Sequence, residues 1–237
     1  MLLSCSVASL LALVSFSPRQ ESAPRYEMDE VMIPMRDGVE LHTKIFTPEL
    51  DEPRPILITR TPYGIGGVST AGPATPGPSR AFLEQGYILV HQDVRGQFGS
   101  GGEWQDMRPP RDPADPAGTD ERTDAFDTVA WLLANVAGNN GRAGMWGISY
   151  DGWQTAMAMS EAHPALVAVS PQASPGDMFV GDDIHHNGAF RLSYSFAWIG
   201  FMAAERGAAD AAEIRALLRQ DSYAFFRAAG NLVTIEQ

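Results

Sequence analysis

The sequence of 237 residues contains a single cysteine, Cys5, and this scarcity excludes two kinds of site. One thiol cannot form an internal disulfide, and it cannot supply a cysteine-based metal centre. The five histidines show no H-E-x-x-H or similar ligand spacing. A metal enzyme is therefore disfavoured, and the sequence predicts no cofactor.

Basic residues are also scarce, because 17 lysines and arginines are set against 29 aspartates and glutamates, for a net charge of −12 at pH 7. A nucleic-acid partner would require a basic face, so this class of partner is excluded. We interpret the negative charge as an aid to solubility and not as the mark of a particular partner. The 44% hydrophobic share is enough for a substantial core and is not typical of disorder.

Long hydrophobic runs are absent too, and no segment predicts a stable membrane span. Residues 1–15 are apolar and serine-rich, and residues 10–14 suit the apolar part of a signal peptide. The segment lacks a basic start and a clear cleavage site. We expect residues 1–25 to be a signal-like or disordered segment, which favours a periplasmic or secreted protein, with a cytoplasmic one as the alternative.

The sequence does contain a stretch that suggests chemistry, GISYDG at residues 147–152. We interpret it as the G-x-S-x-G turn that exposes a serine nucleophile between a strand and a helix. An apolar run at residues 143–146 follows a Gly-Asn-Asn-Gly turn, as a buried strand would. Residues 150–162 lack proline and are rich in alanine and methionine, which favours a helix. Ser149 is therefore the candidate nucleophile.

Strand and helix patterns alternate on both sides of this turn, which is typical of an α/β fold with a mostly parallel sheet. Asp37-Gly38 predicts a hairpin between two strand-like runs, and Thr119 is the predicted cap of a helix. We predict strands at residues 30–34, 39–46, 56–59, 87–92, 143–146 and 166–170. We predict helices at residues 80–85, 119–135 and 150–162, the second of them with an apolar face of Phe126, Val129, Ala130 and Leu133.

The composition changes after residue 190, where aromatic and methionine-rich sequence leads into an alanine-rich amphipathic stretch at residues 208–218. This pattern predicts helices without a further strand–helix unit. We divide the chain into the signal-like segment 1–25, an α/β core at residues 26–185 and a partial helical cap at residues 186–237.

A nucleophilic serine needs a base, a carboxylate that orients the base, and donors for the oxyanion. The backbone N–H of Tyr150 would be one donor, and the hydroxyl of Tyr63, which follows the strand at residues 56–59, is the candidate for the other. The alternative role for Tyr63 is an aromatic ring packed under a loop.

The base is harder to find among the histidines. We interpret His42 as a sheet-face residue and His91 as a packed, hydrogen-bonded one, whereas His163 suits a helix cap. His185 and His186 follow their candidate acids too closely for the order serine, acid, histidine, in which a strand and a helix separate the last two. We expect the acid and the base to lie beyond residue 237, which would make this chain a truncated enzyme.

Several motifs occur in order along the chain: RTPY at residues 60–63, DVRGQFGSGG at 93–102, TDE at 119–121 and GISYDG at 147–152. Together they resemble the CocE/NonD hydrolases, α/β-hydrolases that include cocaine esterase and X-Pro dipeptidyl-peptidase-like enzymes. VGDD at 180–183 and GAFR at 188–191 are similar to the α-amino acid ester hydrolases in particular. The resemblance covers about residues 26–201.

This resemblance implies an α/β-hydrolase fold with its C-terminal part missing, and a serine hydrolase that forms an acyl-enzyme on esters or amides with a free α-amino group. The resemblance also implies acyl transfer to β-lactam nuclei. Ser149 would be the nucleophile, the Tyr150 N–H and the Tyr63 hydroxyl the oxyanion hole, and Asp183 a carboxylate that binds the substrate's α-ammonium group. A solvated aspartate pair on a loop is the alternative for Asp183.

Two other functions stay open. One is a different CocE/NonD esterase or an X-Pro dipeptidyl-peptidase-like peptidase. The other is a non-catalytic fragment or paralogue that lacks the triad aspartate and histidine. The sequence does not fix the oligomeric state, and a homo-oligomer is one of the open states.

Overall fold

The computed structural model describes residues 24–68, 79–205 and 222–230. Its main strands are β1 (Tyr26–Pro34), β2 (Glu40–Pro48), β3 (Arg54–Thr61), β4 (Ile88–Asp93), β5 (Asn139–Ile148) and β6 (Leu166–Gln172). Its helices are α1 (Ser79–Glu84), α2 (Glu121–Asn135), α3 (Tyr150–Ser160), α4 (Leu192–Glu205) and α5 (Ser222–Ala229). Two short strands, β7 (His185–His186) and β8 (Ala189–Phe190), form a separate hairpin.

The main sheet has six strands in the order β1-β2-β4-β3-β5-β6. The pairs β1–β2 and β2–β4 are antiparallel, whereas β4, β3, β5 and β6 run parallel to one another. The predicted α/β fold with a mostly parallel sheet is therefore confirmed. Because the carboxyl ends of parallel strands meet at one edge, the loops that follow β3, β4 and β5 converge there.

Hydrophobic side chains cover both faces of this sheet. On one face Ile58, Val90 and Met145 pack in a core that includes Val129 and Leu132 of α2. A smaller cluster around Phe46, Ile65 and Leu89 includes Phe82 of α1. Alternate residues of a strand point to opposite faces, so β3 and β4 contribute side chains to both clusters.

The start of α2 corrects the predicted cap. Thr119 is not the cap residue, because the carboxylate of Asp120 accepts hydrogen bonds from the backbone N–H groups of Arg122 and Thr123. The Thr123 hydroxyl accepts in return from the backbone N–H of Asp120 at 2.9 Å. This reciprocal capping box satisfies several N–H groups that a helix start leaves unpaired.

The buried face of α2 also differs from the predicted one. Of the four residues predicted to form it, only Val129 is buried. The other buried residues of α2 are Glu121, Thr123, Asp124, Ala125, Thr128 and Leu132. Phe126 instead contacts the ring of His163, with centroids 4.7 Å apart. The prediction followed apolar residues alone and therefore missed Thr128, whose hydroxyl bonds to Gln92 inside the core.

Several boundaries lie away from their predicted positions. Strand β5 begins at Asn139, inside the predicted Gly-Asn-Asn-Gly turn. The β7–β8 hairpin was not predicted, although Asn187-Gly188 at its turn is a strong hairpin signal. The proposed boundary between residues 185 and 186 falls inside this hairpin. The segments predicted at residues 1–15 and 208–218 lie outside the described residues.

Two ion pairs hold the β1–β2 turn against other parts of the fold. The Arg36 guanidinium contacts Asp127 of α2 at 2.8 Å. The next residue, Asp37, pairs with Arg95 at 2.7 Å, and Arg95 also reaches Asp124 at 2.7 Å. Arg36 and Asp37, which are adjacent and oppositely charged, thus each form an ion pair with another part of the fold.

The guanidinium of Arg60 lies at the centre of the fold and is fully buried. It donates to the Gln92 side chain of β4 at 2.9 Å and to Gln154 of α3 at 3.0 Å. It also donates to the backbone carbonyl of Glu121 at 2.9 Å and pairs with that residue's carboxylate at 3.2 Å. Burial raises the pKa of Glu121, and the Arg60 charge partly opposes this rise.

We expect Arg60→Met to lower the free energy of unfolding by about 3–5 kcal/mol, because it leaves the buried Glu121 carboxylate without its cation. Urea denaturation measures this change. The double variant Arg60→Met/Glu121→Gln should recover part of the loss. The control Glu52→Gln removes an exposed ion pair with Arg54 and should cost less than about 1 kcal/mol. A loss for Arg60→Met no larger than the control's would contradict this assignment.

Candidate active site

Ser149 occupies a sharp turn between the end of β5 and the start of α3. Its φ of 63° and ψ of −122° lie in a region that residues other than glycine seldom occupy. Its backbone N–H donates to the carbonyl of Gln172 at the end of β6, at 2.9 Å. Ser149 is exposed. The strand–serine–helix geometry predicted for this stretch is therefore present.

Two glycines permit this turn. A Cβ at Gly147 would lie 2.2 Å from the backbone oxygen of Asp151, and one at Gly152 would lie 2.3 Å from the backbone oxygen of Gln172. Side chains are therefore sterically excluded at both positions. The second glycine follows Ser149 by three residues, so the stretch departs from strict G-x-S-x-G, and Asp151 stands where that pattern has glycine.

The structure brings Tyr63 and Ser149 to the same pocket. Tyr63 follows β3, and its side chain forms a hydrogen bond with the Ser149 side chain. Its ring packs edge-on against Tyr150 and Trp198, with centroid distances of 6.3 and 5.9 Å. Burial has the largest effect in raising the pKa of Tyr63, and the nearby charge of Asp151 raises it further. The phenol is therefore protonated at neutral pH and can donate a hydrogen bond.

Tyr150 follows Ser149 as the first residue of α3 and is buried. Its backbone N–H belongs to the first helical turn, where N–H groups have no intrahelical acceptor. Its hydroxyl accepts from the backbone N–H of Met107 at 2.7 Å and forms a hydrogen bond with the Asp106 side chain. Its ring stacks on Trp198 at 6.2 Å. Tyr150 and Tyr63 thus both line the pocket that contains Ser149.

Asp183 lines the same pocket as Ser149 and Tyr63. Its carboxylate forms a hydrogen bond with the hydroxyl of Tyr194 on α4. The neighbouring Asp182 has a different role, because its carboxylate accepts from the backbone N–H groups of Gly176 and Asp183. Asp182 therefore ties the loop together, while Asp183 presents its charge to the pocket.

No histidine is found among the described residues that line this pocket. His185 bonds through Nδ1 to the backbone oxygen of Met178 at 2.9 Å. Nδ1 of His163 accepts from the backbone N–H of Ala165 at 3.1 Å. His42 lies between two carboxylates of the sheet, Asp93 at 2.8 Å and Glu30 at 2.6 Å. These three histidines have structural contacts, and none of them is placed to deprotonate Ser149.

Asp151 lies on the other side of Tyr63, in a second cavity that His91 also lines. Its carboxylate bonds to the Thr61 side chain, and its Oδ1 is buried without a hydrogen-bond partner among the described residues. Burial raises the pKa of Asp151 to about 7. Burial likewise lowers the pKa of His91 to about 4, and its ring packs edge-on against Phe46.

Within the described part of the chain, no group of three or more histidine, cysteine, aspartate or glutamate side chains could hold a metal ion. None of the helices in the described ranges has the length and apolar character that crossing a membrane requires.

Comparison with known proteins gives a family match over most of the chain. The model of the X-Pro dipeptidyl-peptidase (S15) family matches residues 37–231. Cocaine esterase from Rhodococcus sp. (strain MB1 Bresler) is 32% identical over 171 residues, which are 71% of this chain and 27% of that protein. The resemblance to CocE/NonD hydrolases is thereby confirmed.

Two solved structures are similar at 38% identity. An α-amino acid ester hydrolase superposes with a TM-score of 0.69 and covers 84% of this chain. An aminopeptidase from a marine sediment Thaumarchaeota archaeon superposes with a TM-score of 0.70 and covers 83% of it. The chain spans 33% of each of these proteins. Both superpositions agree with the predicted α/β-hydrolase fold.

The raised pKa of Asp151 gives a pH-dependent prediction. Between about pH 4 and pH 7 an unfolded aspartate loses its proton while the folded one keeps it, so stability falls as pH rises. Asp151→Asn removes this loss. Between pH 4 and pH 8, the free energy of unfolding of the variant should rise by up to about 4 kcal/mol relative to that of the parent.

Urea denaturation of both proteins across this pH range measures the difference. The exposed Asp51→Asn is the matched control, and its difference from the parent should be independent of pH. A flat difference for Asp151→Asn as well would show that the carboxyl titrates normally.

Proposed function

The chain belongs to the X-Pro dipeptidyl-peptidase (S15) family, and on this basis we propose that it is a serine hydrolase for esters or amides of α-amino acids. The observation that carries the proposal is the convergence of Ser149, Tyr63 and Asp183 on one pocket. This pocket combines a nucleophile, an oxyanion donor and an anionic group.

The proposed reaction begins with attack of the Ser149 Oγ on the substrate's carbonyl carbon, while the serine proton passes to a base. The carbonyl oxygen becomes an oxyanion that accepts hydrogen bonds from the Tyr150 N–H and the Tyr63 hydroxyl. Collapse expels the alcohol or amine and leaves an ester on Ser149. Water then releases the acid, or an amine such as that of a β-lactam nucleus takes the acyl group.

The base in this proposal is supplied by residues outside this sequence, together with the carboxylate that orients it. The absence of a histidine from the described lining of the Ser149 pocket supports this view. It equally favours the second candidate, a non-catalytic fragment or paralogue. Activity of the purified 237-residue chain on an activated ester, compared with that of a longer version, distinguishes the two.

The proposed substrate carries a free α-amino group, which is charged at neutral pH. An ammonium that leaves water needs a carboxylate nearby, and Asp183 provides one beside the nucleophile. The names of the two solved relatives, an α-amino acid ester hydrolase and an aminopeptidase, support this class of substrate. The match to cocaine esterase keeps a different ester as the alternative.

We expect a fluorophosphonate probe to label Ser149 in the longer version, because an activated serine attacks the phosphorus and the oxyanion donors stabilise the adduct. Peptide mapping by mass spectrometry identifies the labelled residue. Ser149→Ala should abolish labelling, whereas Ser170→Ala, an exposed serine on β6, should not change it. Labelling that persists in Ser149→Ala would exclude Ser149 as the nucleophile.

Asp183→Asn should raise KM about 10- to 100-fold for amino acid esters, because the charge-assisted contact with the ammonium is lost. Steady-state kinetics on an ester and its N-acetylated counterpart measure the effect. KM for the N-acetyl ester, which has no charged amine, should change little. An equal rise on both substrates would reject the ammonium-binding role.

A further inference from the structure

The pocket around Ser149 contains a second carboxylate, Asp106, which belongs to none of the sequence motifs described above. Asp106 lies on the excursion between β4 and α2, whereas Asp183 follows β6. Each carboxylate bonds to a tyrosine hydroxyl, Asp106 to that of Tyr150 and Asp183 to that of Tyr194. Two separate segments of the chain therefore bring negative charge to one pocket.

None of the ion pairs found among the described residues includes Asp106. Arg108, two residues further along, donates to the backbone oxygen of Glu103 at 2.8 Å instead. Asp106 itself is exposed at the pocket's surface. Its negative charge is therefore available to a cation that enters the pocket.

Asp106 lines the same pocket as Ser149 and Tyr63, whose hydroxyl would be the side-chain donor of the oxyanion hole. After the larger effects of burial and of Asp151, the charge of Asp106 contributes to the raised pKa of the Tyr63 hydroxyl. At Tyr150, after the larger effect of burial, the charge of Asp106 raises the pKa of the hydroxyl, which is not the group that would bind the oxyanion. The charge of Asp183 acts on Tyr194 instead. Of the two pocket carboxylates, Asp106 is thus the one whose charge acts on the Tyr63 hydroxyl.

A negative charge beside an oxyanion hole opposes the oxyanion that forms during acylation. A cationic group of the substrate next to Asp106 would cancel this repulsion. A neutral substrate would leave it in place. The same carboxylate can therefore favour one class of substrate and penalise another.

We propose that Asp106 is a specificity-determining residue, which binds the substrate's α-ammonium together with Asp183 and disfavours uncharged esters through its charge beside the oxyanion hole. This inference rests on the proposed hydrolase function. It differs from a simple second binding residue, because it predicts effects of opposite sign on charged and uncharged substrates.

The test compares phenylalanine methyl ester with 3-phenylpropanoic acid methyl ester, which differ only in the amino group, on the longer version of the protein. Asp106→Asn keeps an acceptor for the Tyr150 hydroxyl and removes the charge. We expect kcat/KM to fall about tenfold for the amino ester and to rise about threefold for the deamino ester. Glu103→Gln, an exposed residue of the same excursion outside the pocket, should leave both values unchanged.

The outcomes separate the two levels of the proposal. An unchanged ratio of the two kcat/KM values, or an equal fall for both esters, would overturn the role of Asp106 and leave the hydrolase function standing. A parent protein that hydrolyses neither ester would overturn both. If Asp106→Asn unfolds at a lower temperature than the parent, Asp106→Ser must show the same opposite changes for the inference to hold.

Discussion

The buried guanidinium of Arg60 is the interaction on which the position of Ser149 depends. Arg60 belongs to β3, and its donors reach β4, the start of α2 and Gln154 of α3. The acceptor on β4, Gln92, continues the network by donating to Thr43 and Thr128. Since α3 begins directly after Ser149, this polar centre holds the helix that anchors the turn. A buried charge requires such complete hydrogen bonding, so the surrounding elements have little freedom to shift.

The turn itself separates two environments. On one side, Ser149 shares a pocket with Tyr63 and two carboxylates, where a substrate can approach. On the other side, Asp151 lies beside Thr61 and His91 in a cavity where burial favours neutral groups. Tyr63 lines both spaces and is the boundary between them. Asp151 does not line the Ser149 pocket, so the carboxylates that line the described part of this pocket are Asp106 and Asp183.

Much of this architecture could be predicted from sequence because its signals are local. The strands, the Asp37-Gly38 hairpin and the serine turn each occupy a short stretch with its own periodicity or turn residues. The Arg60 network could not be predicted in this way, because burial of an arginine depends on acceptors from three other elements. The Asp120 cap was missed in favour of its neighbour Thr119, since both residue types cap helices. Asp106, on an irregular excursion, and Tyr194, on α4, join the pocket only through tertiary folding, and no local pattern marks them.

The paired charges at the β1–β2 turn have a consequence for strand register. A shift of one residue in one direction would bring Arg36 toward Arg95, and a shift in the other direction would bring Asp37 toward Asp127. Either shift would replace an attraction with a repulsion. A one-residue slip also turns every side chain of a strand to the opposite face, which would expose the buried Ile33 and Leu41. Charge pairing and hydrophobic burial thus each disfavour the shifted register. The alternating signs of Arg36 and Asp37 therefore select against a misaligned hairpin as well as stabilising the aligned one.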